Sequence, residues 1–251
     1  MKTIISAKNL VKVFSNNDVT QTIIDNLDLE IYENDFTIIM GSSGAGKSTL
    51  MYCLSGMDMP TSGNIKFCGK DITKMNADKL AIFRRKNCGF VFQQIYMLDK
   101  MSLLDNALTS GLLVNKNKKE VTKRAKELFN KVNLSETTIR KKVNQVSGGE
   151  AQRAGIVRAA INKPICLFAD EPTGALNSEN SKAVLDVFTN LNNDGQSIIM
   201  VTHDKKSAIR GNRIIYLKDG KIYGELNLDK YEKESPERTS KLDKFLKDMG
   251  W

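Results

Sequence analysis

Three short runs of almost uninterrupted apolar residues divide the chain, at residues 36–40, 165–169 and 197–202. Runs of this length without regular polar alternation are typical of strands buried on both faces of a parallel sheet. Before the first run, residues 3–14 and 22–31 alternate partly between apolar and polar positions, and this alternation predicts two more strands. The first third of the chain is therefore expected to be rich in β-structure.

Helical periodicity fills the space between the buried runs. Val121, Ala125, Leu128 and Val132 recur on one helical face, and residues 183–191 repeat this pattern. Buried strands that alternate with helices predict an α/β sheet. The block between the first two buried runs is too long for a single crossover helix, so an inserted helical subdomain is expected there.

The end of the chain has its own pattern. Residues 213–217 and 222–226 flank an Asp-Gly turn and predict a β-hairpin. Leu242, Phe245 and Leu246 then recur at helical spacing, which predicts a short amphipathic helix packed against the chain's own body.

The first buried run leads directly into G-S-S-G-A-G-K-S, which has the spacing of a phosphate-binding loop followed by a helix over residues 48–55. The glycines let backbone N–H groups turn towards phosphate oxygens, and the helix presents its positive N-terminus. Lys47 supplies a cation for the β- and γ-phosphates, and the Ser48 hydroxyl is a ligand for Mg²⁺. The residues expected to bind nucleotide here, called the phosphate loop below, are Gly41, Ser42, Ser43, Gly44, Ala45, Gly46, Lys47, Ser48 and Thr49.

The second buried run ends in an acidic pair, Asp170 and Glu171. The carboxyl end of a strand is where α/β sheets bind their ligands. Asp170 is expected to hold Mg²⁺, usually through water, and Glu171 to polarise the attacking water. Acidic residues in this position are also common as helix caps. Combined with the phosphate loop, the pair predicts a P-loop NTPase.

A second pair of glycines opens another helix in the sequence V-S-G-G-E-A-Q-R. One nucleotide does not need two such anion sites from one subunit, so this one is expected to serve a nucleotide held by another subunit. The sequence here resembles the signature motif LSGGQ of the ABC ATPases, with Val146 in place of Leu and Glu150 in place of Gln. The residues of the signature motif that are expected to contact nucleotide are Ser147, Gly148, Gly149 and Glu150.

The resemblance implies roles for further residues. Phe14 lies where the family has an aromatic residue that stacks on adenine, although a core-packing Phe is the alternative. Gln93 matches the glutamine that contacts Mg²⁺ and water. His203, the only histidine of the chain, matches the γ-phosphate sensor that follows the third buried run. Gly174 and Asn177 depart from the usual S-A-L-D of the dimer-contact loop, and Asn177 is also suited to cap the next helix.

The resemblance also implies the fold and its divisions. The expected fold class is an α/β, ABC-type P-loop NTPase with a RecA-like core sheet, an N-terminal antiparallel β-subdomain and an inserted α-helical subdomain. The ATPase domain is expected over residues 1–224, with the helical subdomain at about 94–160. Residues 225–251 are expected to form a C-terminal extension with a short amphipathic helix.

Composition narrows the class of protein. No apolar run approaches the ~18 residues of a membrane span, and the N-terminus lacks the apolar core of a secretory signal. The four cysteines include no C-x-x-C pair, which argues against a zinc site and a disulfide framework and fits a reducing cytoplasm.

The net charge of +9 at first suggests nucleic acid or an anionic membrane surface as a partner. Its distribution is uneven, because residues 113–145 hold ten Lys or Arg against three Glu, a local charge of +7. The excess therefore lies in the expected helical subdomain. In the family this part faces the membrane partner, so the charge is interpreted as a docking face and no nucleic-acid partner is expected.

The family mechanism implies an ATPase subunit that forms a homodimer around two ATP–Mg²⁺ and drives an integral-membrane permease at the cytoplasmic face of the cell membrane. Residues 168–176 and 200–204, with the long connection 15–21, resemble the lipoprotein-release, macrolide-export and bacitracin-resistance group. The 29 Lys against nine Arg hint at a low-GC genome and favour antimicrobial peptide resistance. The alternatives are a lipoprotein-release or cell-division-type complex and, in another class, a stand-alone ABC ATPase on nucleic acid.

Overall fold

The computed structural model describes residues 1–16, 19–233 and 235–251. Its elements form two compact units, residues 1–80 with 196–251 and residues 81–195. In chain order the elements are β1 (Thr3–Asn16), β2 (Val19–Tyr32), β3 (Phe36–Met40), α1 (Lys47–Ser55), β4 (Ser62–Phe67), β5 (Lys70–Asp71), α2 (Ala77–Asn87), β6 (Cys88–Phe92), α3 (Leu103–Leu112), α4 (Lys118–Lys131), α5 (Glu136–Ile139), α6 (Gly148–Ala160), β7 (Cys166–Asp170), α7 (Ser178–Asn193), β8 (Ser197–Val201), α8 (Lys205–Ala208), β9 (Arg213–Lys218), β10 (Lys221–Asn227) and α9 (Pro236–Asp248).

An antiparallel sheet in the order β2-β1-β4-β5 forms part of the first unit. The two predicted N-terminal strands are confirmed, but both are longer than expected and continue into the polar connection predicted at residues 15–21. Strand pairing there ends with Asn16 opposite Val19. Polar side chains on an exposed hairpin satisfy the strand pattern as well as they satisfy a loop. Residues 17 and 18 lie outside the described residues.

The first unit also contains the buried strand β3, which pairs in parallel with β8 on one side and β9 on the other. All five residues of β3 are buried, as the apolar run predicts. Strand β9 folds back onto β10 in the predicted hairpin. Because parallel strands end at the same edge, the residues that follow β3 and β8 emerge side by side. This arrangement places the phosphate loop and His203 at one edge.

The second unit pairs β6 in parallel with β7, with Phe92 opposite Asp170 at their carboxyl ends. Helices α3 to α7 complete this unit. The predicted apolar face of α4 is confirmed, because Val121, Ala125 and Leu128 are buried. Asn117 caps this helix by accepting the N–H groups of Lys119 and Glu120, as expected for an N-cap residue.

The C-terminal helix α9 lies in the first unit, and its apolar face is buried through Leu242 and Leu246. This confirms that the amphipathic segment packs against the chain's own body. Arg238 on the same helix donates to the backbone oxygens of Ile209, Gly211 and Asp229. No helix within the described ranges is both long enough and apolar enough to span a bilayer.

Candidate nucleotide site

The phosphate loop connects β3 to α1 and requires glycine where its backbone turns into the helix. Gly46 has a φ of 93° in the left-handed region, directly before the first residue of α1. A Cβ on this glycine would lie 2.8 Å from the Ile23 carbonyl oxygen. The Gly46 oxygen accepts the first intrahelical hydrogen bond, from Leu50 at 2.8 Å. Only glycine combines this conformation with this close approach.

The charge of the phosphate loop comes from Lys47 and the start of α1. The Lys47 ammonium group donates to the backbone oxygens of Gly41 at 3.0 Å and Ser42 at 2.8 Å. No acidic residue lies in the first turn of α1. Ser48 and Thr49 are half-buried in this turn, whereas Ser42, Ser43 and Gly44 are exposed. A lysine beside a helix N-terminus that has no acidic residue in its first turn is suited to bind phosphate.

Phe14 presents an exposed ring in the first unit. The residue is 48% exposed, so the alternative of a core-packing phenylalanine is wrong. The Lys12 ammonium group lies 4.7 Å from its centroid and also donates to Asp58 and the Met59 backbone oxygen. A ring with an accessible face is suited to stack on a purine, and the adenine-stacking role of Phe14 stays a prediction.

His203 follows β8 and is exposed on a well-fixed backbone. The Asp204 N–H donates to the Thr202 hydroxyl at 3.0 Å. The Asp204 carboxylate in turn caps α8 by accepting the N–H groups of Lys206 and Ser207. The neighbours of His203 are thus held on both sides.

The acidic pair lies at the carboxyl end of β7, in the second unit. Asp170 ends the strand, and Glu171 has a φ of 46° in the left-handed region. The Gly174 N–H closes the following turn by donating to the Glu171 oxygen at 3.0 Å. Left-handed backbone at a non-glycine residue is uncommon and concentrates at functional sites. Eight other non-glycine residues in the described part of the chain share this conformation, so it supports the role of Glu171 only together with its motif.

Gln93 directly follows β6 and is exposed. Its side-chain nitrogen would lie 2.9 Å from a Cβ on Gly174, so the two residues that open and close this edge of the second unit are in contact. Sequence reasoning missed a third residue here. Gln152 is buried and donates to the backbone oxygens of Phe92 and Pro172, which flank Gln93 and Glu171 in the chain. Its position in the signature helix, three residues after Gly149, was the one available signal.

The signature motif starts α6 with a reciprocal cap. The Ser147 hydroxyl accepts the Glu150 N–H at 3.2 Å, and the Glu150 carboxylate accepts the Ser147 N–H at 2.8 Å. This backbone hydrogen bond lowers the pKa of Glu150. Ser147 and Gly148 are exposed. The glycine at 149 is required because a Cβ there would overlap the Asn180 side chain. The motif is therefore a preformed, capped helix N-terminus that begins with two exposed residues, Ser147 and Gly148.

Asn177 caps α7, because its side-chain oxygen accepts the Asn180 N–H at 2.9 Å. The capping role expected for this departure from S-A-L-D is confirmed. The cap fixes the loop between Gly174 and α7 without an acidic residue, so a neutral side chain replaces a carboxylate at this edge.

The donors expected for Mg²⁺ are the Ser48 hydroxyl in the first unit and the Gln93 amide and Asp170 carboxylate in the second. Hydroxyl, amide and carboxylate oxygens are hard ligands that suit this ion. Across the residues that the structure describes, no group of three or more His, Cys, Asp or Glu could hold a metal. The expected set contains a single carboxylate.

Comparison with known proteins identifies the family. The family profile described as ABC transporter matches residues 24–174. The lipoprotein-releasing system ATP-binding protein LolD of Aquifex aeolicus is 40% identical over 226 residues, which are 90% of this chain and 99% of that protein. The macrolide export ATP-binding/permease protein MacB of Mannheimia succiniciproducens is 38% identical over 87% of this chain and 34% of its own length.

Among solved structures, the dimeric ATP-binding cassette MJ0796, in a post-hydrolysis state bound to ADP and Pi, superposes with a TM-score of 0.83 at 35% identity. The match covers 90% of this chain and all of that one. The α/β P-loop fold class, the ATPase class, and the use of ATP and Mg²⁺ that the phosphate loop predicts agree with these relatives. The chain therefore belongs to the ABC transporter family, as an ATP-hydrolysing, ATP-binding subunit that powers a membrane transporter.

Proposed function

We propose that this chain works as a homodimer in which each ATP is held between the phosphate loop of one subunit and the signature motif of the other. The observation that carries the proposal is the presence of two helix N-termini with glycine at their start, at α1 and α6, in a single chain. The dimeric state of the related cassette MJ0796 supports it. The proposed ATPase domain comprises residues 1–224, and residues from about 94 to 160 form its helical subdomain.

In the proposed site, Lys47 and the phosphate-loop amides hold the phosphates while Phe14 stacks on the base. Glu171 takes a proton from the attacking water, and His203 donates a hydrogen bond to the γ-phosphate. Gln93 orients the water. Bound Mg²⁺ would neutralise phosphate charge during the transfer. Ser48, Gln93 and Asp170 are the residues that would hold it.

Mixing two inactive variants tests the shared site. We expect Lys47→Ala and Ser147→Ala each to lose ATPase activity as pure preparations. In an equal mixture, hybrid dimers contain one intact composite site, so activity should return to at most about a quarter of the wild-type value. Activity that stays absent at all mixing ratios contradicts the shared site, as does wild-type activity of pure Ser147→Ala.

The partner we propose is a separate integral-membrane permease, which holds the chain at the cytoplasmic face of the cell membrane. The basic region 113–145 supports this docking role, because four exposed lysines near the start of α4 form no ion pair within the described ranges. These residues are Lys116, Lys118, Lys119 and Lys123. Leu113 and Val114, both exposed, precede them.

A charge-matched pair of variants tests the docking face. Replacement of these four lysines by Gln should weaken co-purification of the chain with its membrane permease. The control removes the same charge from exposed lysines elsewhere, at Lys230, Lys233, Lys244 and Lys247. Equal retention of the permease by both variants contradicts the docking role.

The proposed substrates are extracytoplasmic molecules, and antimicrobial peptides are the first candidate. The excess of Lys over Arg favours them, because it indicates a low-GC genome of the kind in which peptide resistance is expected. A lipoprotein is the second candidate, because the relative LolD is named for lipoprotein release. The domain structure of the co-purified permease and the effect of deleting the gene decide between the two candidates. A large extracytoplasmic domain and resistance to peptide antibiotics support the first candidate, whereas accumulation of unreleased lipoproteins on loss of the gene supports the second.

A further inference from the structure

Gln152 lies on α6, five residues after Ser147, and its side chain is buried with 2% exposure. Its amide nitrogen donates to the Phe92 oxygen at 2.9 Å and to the Pro172 oxygen at 2.8 Å. Both amide hydrogens are thereby used on backbone carbonyls, one at the end of β6 and one two residues beyond β7. One side chain therefore joins α6 to the end of β6 and to the turn that follows β7.

The two carbonyls belong to the residues next to the proposed catalytic groups. Phe92 immediately precedes Gln93, and Pro172 immediately follows Glu171. The ladder between β6 and β7 ends with Phe92 opposite Asp170, so strand pairing no longer fixes the backbone beyond this point. Glu171 has left-handed backbone here, which a non-glycine residue keeps only where its surroundings hold it.

We propose that Gln152 is a positioning residue for ATP hydrolysis, which fixes the backbone on either side of Gln93 and Glu171 relative to the signature helix. This inference rests on the proposed roles of those two residues. Because Ser147 starts the same helix, Gln152 links the helix that receives the partner's nucleotide to the residues that act on water.

The direct test replaces Gln152 by Met, which keeps the length of the side chain and removes both donors. Misplacement of reacting groups by about 1 Å costs as much as 100-fold in rate, so kcat should fall by about 10- to 100-fold. KM and the affinity for ATP should stay within about twofold, because the phosphate loop contains none of these contacts. Gln196→Met, at the amino end of β8, is the matched control and should retain wild-type kcat.

A pH profile separates positioning from simple packing. Gln152→Glu keeps the shape of the side chain, but the ionised carboxylate of this variant cannot donate to either carbonyl. Its protonated form donates one hydrogen bond. The ratio of kcat for Gln152→Glu to wild-type kcat should therefore rise as the pH is lowered from 8 to 6. A packing role predicts that the thermal stability of Gln152→Glu falls in parallel with its kcat as the pH is raised, whereas positioning predicts a lower kcat while the variant remains fully folded.

Three results would overturn the inference: unchanged kcat in Gln152→Met, a parallel loss of kcat and ATP affinity in that variant, or a pH-independent ratio for Gln152→Glu. Measuring Glu171→Gln in the same assays distinguishes a failure of the proposed role of Glu171 from a failure of the proposed role of Gln152. If Glu171→Gln hydrolyses ATP normally, the proposed role of Glu171 is wrong. If Glu171→Gln is inactive and Gln152→Met is normal, only the role of Gln152 is wrong.

Discussion

The side-chain nitrogen of Gln93 lies 2.9 Å from the point where a Cβ on Gly174 would project. The backbone of Gly174 is not left-handed, so a larger residue fits the local conformation and only the Gln93 side chain stands in its way. The family motif S-A-L-D has serine at this position, and the contact with Gln93 explains why glycine occurs here instead. Because residue 174 has no side chain, the Gln93 amide can occupy this space.

Gly174→Ser should therefore change catalysis more than stability. The displaced atom is the end of a flexible side chain, so the free energy of unfolding should change by less than about 0.5 kcal/mol. The displacement of Gln93 should lower kcat by about tenfold or more. Steady-state ATPase assays and urea unfolding measure the two effects. Gly174→Ala is the control for size, and wild-type kcat in both variants would rule out steric control of Gln93.

Glu171→Gln should bind ATP and fail to hydrolyse it. The amide keeps the shape of the carboxylate and cannot take a proton from water, so the rate should fall by at least about 10²–10⁴. The variant should accumulate as an ATP-bound dimer, which size-exclusion chromatography with and without ATP detects. Hydrolysis at a near wild-type rate would show that another group is the base.

The strands β3, β7 and β8 were predictable because a strand that is buried on both faces requires an almost uninterrupted run of apolar residues. Strand β3 coincides with its predicted run, β7 begins and ends one residue later than its run, and β8 ends one residue earlier. Strand β6 was not predicted. Its five residues include Gly89, where a Cβ would overlap the Ala159 oxygen and the Leu167 side chain. This glycine weakens the local strand pattern and is needed only because α6 and β7 pack closely against it.

The residues of the candidate site likewise divide into those that local sequence patterns predict and those that they do not. The phosphate loop, the acidic pair and the signature motif are contiguous in sequence, because each is one turn with its own backbone requirement. Gln152 has an ordinary helical position, and its function depends on two carbonyls 60 and 20 residues away in the chain. Single-sequence patterns contain no signal for such contacts, since they exist only once α6 is packed.

Arg238 should anchor the C-terminal helix to the first unit. Its guanidinium group donates to three backbone oxygens, at Ile209, Gly211 and Asp229. Arg238→Ala leaves these acceptors without their donor, so the free energy of unfolding should fall by about 2–4 kcal/mol in urea titrations. The kcat of the folded variant should stay within about twofold of wild type, because none of the three residues that accept from Arg238 is a proposed catalytic residue.

The control for Arg238 is Lys241→Ala on the same helix, which removes an exposed ion pair with Glu237. Exposed pairs contribute little to stability, so this variant should unfold like wild type. A lower kcat in Arg238→Ala at unchanged stability would instead assign the C-terminal extension a regulatory role. Deletion of residues 228–251 should reproduce the direction of the Arg238→Ala effect.

Cys53 should remain protonated at pH values where an ordinary thiol ionises. Burial of this α1 residue raises the pKa of its thiol to about 12, with a smaller contribution from Asp58. At pH 8, iodoacetamide should modify the exposed Cys68 and leave Cys53 unmodified, as peptide mass spectrometry of the native protein would detect. Equal labelling of the two thiols would contradict the burial of α1.

The same shift makes stability depend on pH. Unfolding returns the thiol of Cys53 to a pKa of about 8.5, so the unfolded state loses its proton first as the pH rises. The stabilisation is complete below that value and declines up to about pH 12, where the folded thiol ionises. At pH 10 the contribution lost is about 2 kcal/mol. Urea titrations at pH 8 and 10 should show a smaller decrease for Cys53→Ala than for wild type, and an equal decrease would refute the shift.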